Sequence, residues 1–155
     1  MPQTLTPGEA LEALGLTLPK PPAAPGSFVG ALVHGGQVIV SGQVPLHNGQ
    51  VFATGRLGDD ISIETGQEAA RICLLNALAQ LSHATGGLDN VKGFGRMAGY
   101  VSATPDFTQH GAVIEAASEL LVQIFGDKGA HARCAIGVAS LPRGVPVEIE
   151  LTAFL

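Results

Sequence analysis

The chain has no tryptophan, a single tyrosine and two cysteines in 155 residues, and only 14% of its residues are charged. Each scarcity excludes something. Lysine occurs only at positions 20, 92 and 128, the arginines are scattered, and net charge is −5, so no basic stripe exists to neutralise phosphates. Nucleic acid is therefore not expected as a partner. No apolar run reaches the roughly 18 residues of a membrane span. The opening MPQTLTPGEALEALG has neither the basic flank nor the apolar stretch of a signal peptide. Cys73 and Cys134 lie in apolar contexts without a pairing pattern. Free thiols in a reducing, cytoplasmic setting are the expectation. The five histidines show no metal-ligand spacing with one another or with cysteine, so no metal site is expected.

What the chain does have is small aliphatic bulk. The apolar fraction is 46%, and a domain this size with so few charges is expected to cover part of its surface with further copies of itself. TPGEALEALG (6–15) predicts a short helix capped by Thr6 with Pro7 in the first turn. LPKPPAAPG (18–26) reads as an extended linker. Two β-rich runs, 27–34 and 37–41, flank Gly35-Gly36, a pair suited to a tight hairpin turn. A weak strand is expected over 50–53. From Ser62 to Ala84 apolar residues recur every three or four positions, predicting a helix capped by Ser62 and stopped by Gly86-Gly87. A glycine-weakened strand over 92–103 follows. A second helix is expected from near Pro105, with Val113, Ala117, Leu120, Leu121 and Ile124 as its buried stripe and Gly126 as its stop. Strands over 133–140 and 146–154 close the chain. The fold class expected is α+β: a mixed sheet with two helices packed on one face, the other face bare.

The last two runs, read as a hairpin turning near Arg143-Gly144, hold the most informative residue. Alternation places Cys134, Ile136 and Val138 on one face, toward the helices, and Arg133, Ala135, Gly137 and Ala139 on the other. In that register Glu148 and Glu150 fall on the Arg133 face. A guanidinium among small neutral neighbours needs an anion. Either it forms an ion pair with Glu148, Glu150 or a neighbouring subunit, or it is a fork for the carboxylate of a small ligand.

The segments GSFVGALVHGGQVIVSGQVPLHNGQV and ARCAIGVASLPRGVPVEIE, with the helix ARICLLNALAQL and the strand GYVSATPDF between them, resemble the RidA (YjgF, L-PSP) superfamily over residues 26–155. Residues 1–25 stand as an N-terminal helix and Pro-rich linker added to that domain. The resemblance implies a chorismate-mutase-like fold and a homotrimer with clefts between subunits. It also implies hydrolysis of reactive enamine/imine acids to a keto acid and ammonia without metal or cofactor. By the same resemblance Arg133 grips the substrate carboxylate and Glu148 orients or deprotonates water. The same reading expects Phe28, Ser41, Gly42 and Ala135 as substrate contacts, the last two through backbone groups.

The sequence departs from the family pattern at three places. Phe28 stands where tyrosine is common, Ala135 where cysteine is common, and Gly111 where asparagine is common. Such a cleft suits a bulkier or more apolar substrate, or a ligand bound without turnover. The rival class is thus a non-catalytic trimeric binder or sensor of a small carboxylate. A ribonuclease or translation inhibitor, names also used in the superfamily, lacks an aromatic-basic platform here.

Overall fold

The computed structural model describes residues 4–155; the first three residues of the N-terminal extension lie outside the described residues. Helix α1 (Pro7–Ala13) opens on a capping box in which the Thr6 hydroxyl accepts from the Glu9 amide and the Glu9 carboxylate accepts from the Thr6 amide. Its Leu11 enters the main core. An extended stretch then leads to strands β1 (Ala31–His34) and β2 (Gln37–Gln43), joined through Gly35 and Gly36 at φ 58° and 75°. Both central residues of that turn need positive φ, which glycine adopts without a Cβ clash.

The first strand starts at Ala31, later than the pattern 27–34 suggested. The reason lies in Ser41, whose hydroxyl donates to the Val29 carbonyl at 2.6 Å and whose amide donates to Gly30. A side chain thus satisfies backbone that a ladder would otherwise use. A small ribbon follows, β3 (Leu46–His47) and β4 (Gln50–Val51), around Asn48-Gly49.

Helix α2 (Ile63–Thr85) is capped as expected, with the Ser62 hydroxyl accepting from the Thr65 amide at 3.1 Å and Gly86 at φ 77° ending it. After β5 (Gly93–Ser102), helix α3 (His110–Phe125) begins five residues later than Pro105. A turn closed by the Phe107 amide on the Thr104 carbonyl occupies the interval. All five residues of the expected α3 stripe are buried. Strands β6 (Ala132–Val138) and β7 (Val147–Phe154) complete the main sheet, whose order is β1-β2-β7-β5-β6. The β5–β6 pair is parallel and all others are antiparallel.

Helices α2 and α3 cover one face of this sheet, and the core lies between: Leu74, Leu78, Ile114 and Leu121 against Val38, Val40, Met97, Ile149 and Leu151. The other face is bare. Leu32, Ile39 and Ile136 are 56%, 52% and 44% exposed on it, apolar surface of the kind that a neighbouring subunit covers.

The closing hairpin does not exist. Strand β5 lies between β6 and β7, so the loop carrying Arg143 and Gly144 spans one strand instead of reversing between two. The faces of β6 are also inverted from expectation. Arg133, Ala135 and Gly137 look toward α3: a Cβ on Gly137 would lie 2.5 Å from the His110 ring, and Ala135 packs on the core. Ile136 looks outward. Through the shared register with Ala98 and Tyr100, Glu150 and Glu148 join Cys134 and Ile136 on the bare face, opposite Arg133.

Gly99, which seemed only to weaken its strand, has a purpose. A Cβ there would lie 2.5 Å from two carbons of the fully buried Ile114. Replacing Gly99 by alanine is expected to cost about 1–3 kcal/mol through overpacking, read as a lower urea midpoint at unchanged m-value. The double variant with Ile114→Val should lose less than the sum of the two single changes.

Candidate functional site

Of the six residues singled out from the sequence, three converge. Phe28, Gly42 and Glu148 line one pocket of about 390 Å³ at the end of the sheet where β2 and β7 meet. The proximity of Gly42 and Glu148 is intimate. A Cβ on Gly42 would collide with Glu148 Oε1, so a side chain at this position would displace the carboxylate from its place against β2. Register explains it: β2 bulges between Val40 and Gln43 as it runs beside β7, and Gly42 sits within that irregularity. Ser41 is adjacent but committed, its hydroxyl bound to the Val29 carbonyl. Gln43, largely buried, returns its side-chain amide to the Ser41 carbonyl at 2.8 Å.

Glu148 is half-buried, and burial raises its carboxyl above the ordinary range, with the neighbouring charge of Glu150 adding to the effect. Glu150 itself accepts from the Tyr100 hydroxyl at 2.7 Å, which pushes the phenol up. Beneath the pocket, the Cys73 thiol donates to the Val147 carbonyl at 3.5 Å, and full burial raises it well above the usual thiol range. It is a packing residue, with no thiolate character to make it a nucleophile.

Arg133 and Ala135 are elsewhere, on edge strand β6. Arg133 Nη1 donates to Glu115 Oε2 at 2.6 Å and to Ser118 Oγ at 3.1 Å, both on α3. Ser118 lies 3.0 Å from His131 Nε2, and His131 Nδ1 lies 2.7 Å from the Gly129 carbonyl. A carbonyl can only accept, so Nδ1 of His131 donates to Gly129. The relay Arg133–Ser118–His131–Gly129 fixes the guanidinium along one edge. Among the described residues neither Nε nor Nη2 has a hydrogen-bond partner, and Arg133 borders an open cleft of about 800 Å³ with Glu119, Val122 and Ala130. Gly111 stands beside Nη2, where even a Cβ would be 3.7 Å away.

Within the chain the anionic partner of Arg133 is Glu115, not Glu148 or Glu150. Sequence reading missed that acid because it assigned the Arg133 face away from the helices. Glu115 and Ser118 are three apart in α3, and that spacing would have revealed a polar pair once β6 was known to pack there. Arg143 and Gln80, which also line the Glu148 pocket, were missed as well. Arg143 holds φ 60°, rare for a residue with a side chain, and no sequence pattern announces that. No group of three His, Cys, Asp or Glu side chains placed to hold a metal occurs among the described residues. No helix among them is long and apolar enough to cross a membrane.

Comparison with known proteins agrees with this fold. Residues 9–151 match the family model described as "YjgF/chorismate mutase-like, putative endoribonuclease", a match that begins inside α1. Protein TCP17 of Trypanosoma cruzi is 40% identical over 141 residues, covering 90% of this chain and 88% of that one. A Shewanella oneidensis crystal structure carrying the same endoribonuclease description superposes with a TM-score of 0.94 at 34% identity, over 97% of this chain and all of the other. The protein Atu1372 of Agrobacterium tumefaciens gives 0.88 at 34% identity, over 97% and 92%. With that sequence match along nearly the whole chain, and with a mixed sheet carrying its helices on one face, the protein belongs to the YjgF/chorismate-mutase-like family.

Proposed function

We propose that the protein hydrolyses reactive enamine or imine acids to a keto acid and ammonia, in clefts completed between the copies of a homotrimer. The observation that carries this reading is the pocket at Glu148: a half-buried carboxylate of raised pKa, pressed against the glycine backbone of β2 and open to a cavity of small-molecule size. Arg133, on free edge strand β6 with Nε and Nη2 unused, would reach the corresponding pocket of a second copy and hold the substrate carboxylate there in a bidentate grip. The bare apolar face gives such copies a surface to share.

The chemistry asks little of the protein. Glu148 takes a proton from the water as its oxygen adds to the C=N carbon and passes that proton to nitrogen, giving a carbinolamine. Glu148 then takes the carbinol hydroxyl proton and delivers it to nitrogen as the C–N bond breaks and the C=O bond forms, so ammonia leaves the keto acid. Orientation of water and imine supplies most of the advantage. No metal or cofactor enters the scheme. Ribonuclease activity, the description carried by relatives, would need a cationic surface that a net charge of −5 does not favour.

The test is ammonia and keto-acid release from freshly generated 2-iminopropanoate and from a branched imino acid. Release above the spontaneous rate supports the enzyme. No release, with a carboxylate still raising the Tm, would make the protein a carboxylate binder instead. No release and no shift would leave Arg133 as a structural pair with Glu115.

A further inference from the structure

The Glu148 pocket has a wall that the compact domain does not supply. Pro22, Ala23, Ala24 and Pro25, from the extended N-terminal segment, face Phe28 and Leu46 across it. The segment is tied in place. Gln80, 6% exposed on α2, donates its side-chain amide to the Pro22 carbonyl at 2.6 Å. Gly30 lacks the Cβ that would collide with that same amide. A buried polar side chain is thus spent on holding a proline-rich strap over the cavity, and a glycine clears its path. Prolines make the strap stiff and leave few backbone donors to orient toward a ligand. Phe28, 52% exposed, lends its ring to the same cavity without a hydroxyl.

The pocket thus combines two charged groups, Glu148 and Arg143, with an apolar lining from the strap, Phe28, Val44 and Leu46. A substrate with a methyl side chain would leave most of 390 Å³ empty. We propose that the N-terminal strap is the specificity wall of this site and that it selects acids bearing a bulky apolar side chain, branched aliphatic or aromatic, with that side chain lodged between Pro22–Pro25, Phe28 and Leu46. This rests on the reading of the Glu148 pocket as the substrate site, and it assigns residues 22–25 a part in recognition.

Binding of stable keto acids separates this inference from turnover. Calorimetry on the full chain with 4-methyl-2-oxopentanoate and pyruvate should show the branched acid bound at least tenfold more tightly, as three extra buried carbons allow. Ala24→Trp, which fills the pocket from a half-buried strap position, should abolish that preference. Gln80→Leu, which releases the strap, should weaken the preference in the same direction. Equal affinity of the native protein for both acids, binding of neither, or a preference that survives Ala24→Trp would each overturn the inference. Absence of ammonia release alongside an intact, Ala24-dependent preference would overturn only the catalytic reading.

Discussion

Replacing Arg133 by alanine is expected to lower kcat/KM for imine hydrolysis by about a hundredfold or more, roughly 2.7 kcal/mol at 1.36 kcal/mol per tenfold, while leaving the fold intact. The two effects separate because the two sides of the guanidinium have different tasks. On one side Nη1 meets Glu115, whose side chain is 51% exposed, so the ion pair is screened and its loss costs less than about 1 kcal/mol of stability. On the other side Nε and Nη2 have no partner among the described residues, and in the proposed reaction a substrate carboxylate left without them loses a charge-assisted pair. Arg133→Lys should recover only part of the activity, because an ammonium cannot keep the Glu115 contact and present a planar fork together. Steady-state kinetics beside thermal melts would show it. Undiminished kcat/KM in Arg133→Ala, or a loss of activity fully tracked by a lower Tm, would remove Arg133 from the reaction.

Local structure was legible where one residue type has one physical reason to be there. Ser62 before an amphipathic run, Gly35-Gly36 between β-branched runs and the α3 stripe were all read at the right places, because caps, positive-φ turns and helical periodicity are encoded within a few residues. Pairing between distant strands is not encoded that way. Nothing in HARCAIGVASLPRGVPVEIE says that residues 93–102 come to lie between its two strands. The period of two also fixes only which residues share a face, not which face is inside. Volume suggested that Ile136 points inward and Gly137 outward. The reverse holds because α3 approaches the edge strand so closely, with His110 over Gly137, that only small residues fit beneath it.

The same inversion explains the candidate site. Three of the residues singled out from the sequence, Glu148, Gly42 and Phe28, line one pocket. The grouping with Arg133 was not legible, because Arg133 was placed beside Glu148 through a hairpin that the sheet order forbids. Within one chain they lie on opposite faces and on strands separated by β5. A reaction using both needs two copies, so the proposal ties catalysis to assembly: Ile39→Glu, placing a charge on the bare face, should reduce trimer and activity together in sedimentation and ammonia-release measurements.

Glu148→Gln should lower the hydrolytic rate by about 10²–10⁴, the range removed with a general base, and should make the protein more stable at neutral pH. The second effect follows from the sign of the pKa shift. Burial first, and Glu150 second, raise the carboxyl of Glu148 in the folded state above its unfolded value. Between those two values the folded protein binds more protons than the unfolded one, so stability falls as pH rises through the window. Above it, the native protein carries the full cost of a half-buried charge beside Glu150. Glutamine keeps the shape against Gly42 and removes that charge. Melting curves from pH 4 to 8 should therefore show the variant above the native protein at neutral pH and the two converging as pH falls. The native rate should rise with pH over the same window, as the base is released from its proton, and the residual rate of the variant should be flat. A variant that is less stable at every pH, or one whose activity keeps the native pH profile, would show that the Glu148 carboxylate neither bears the burial cost nor moves the proton.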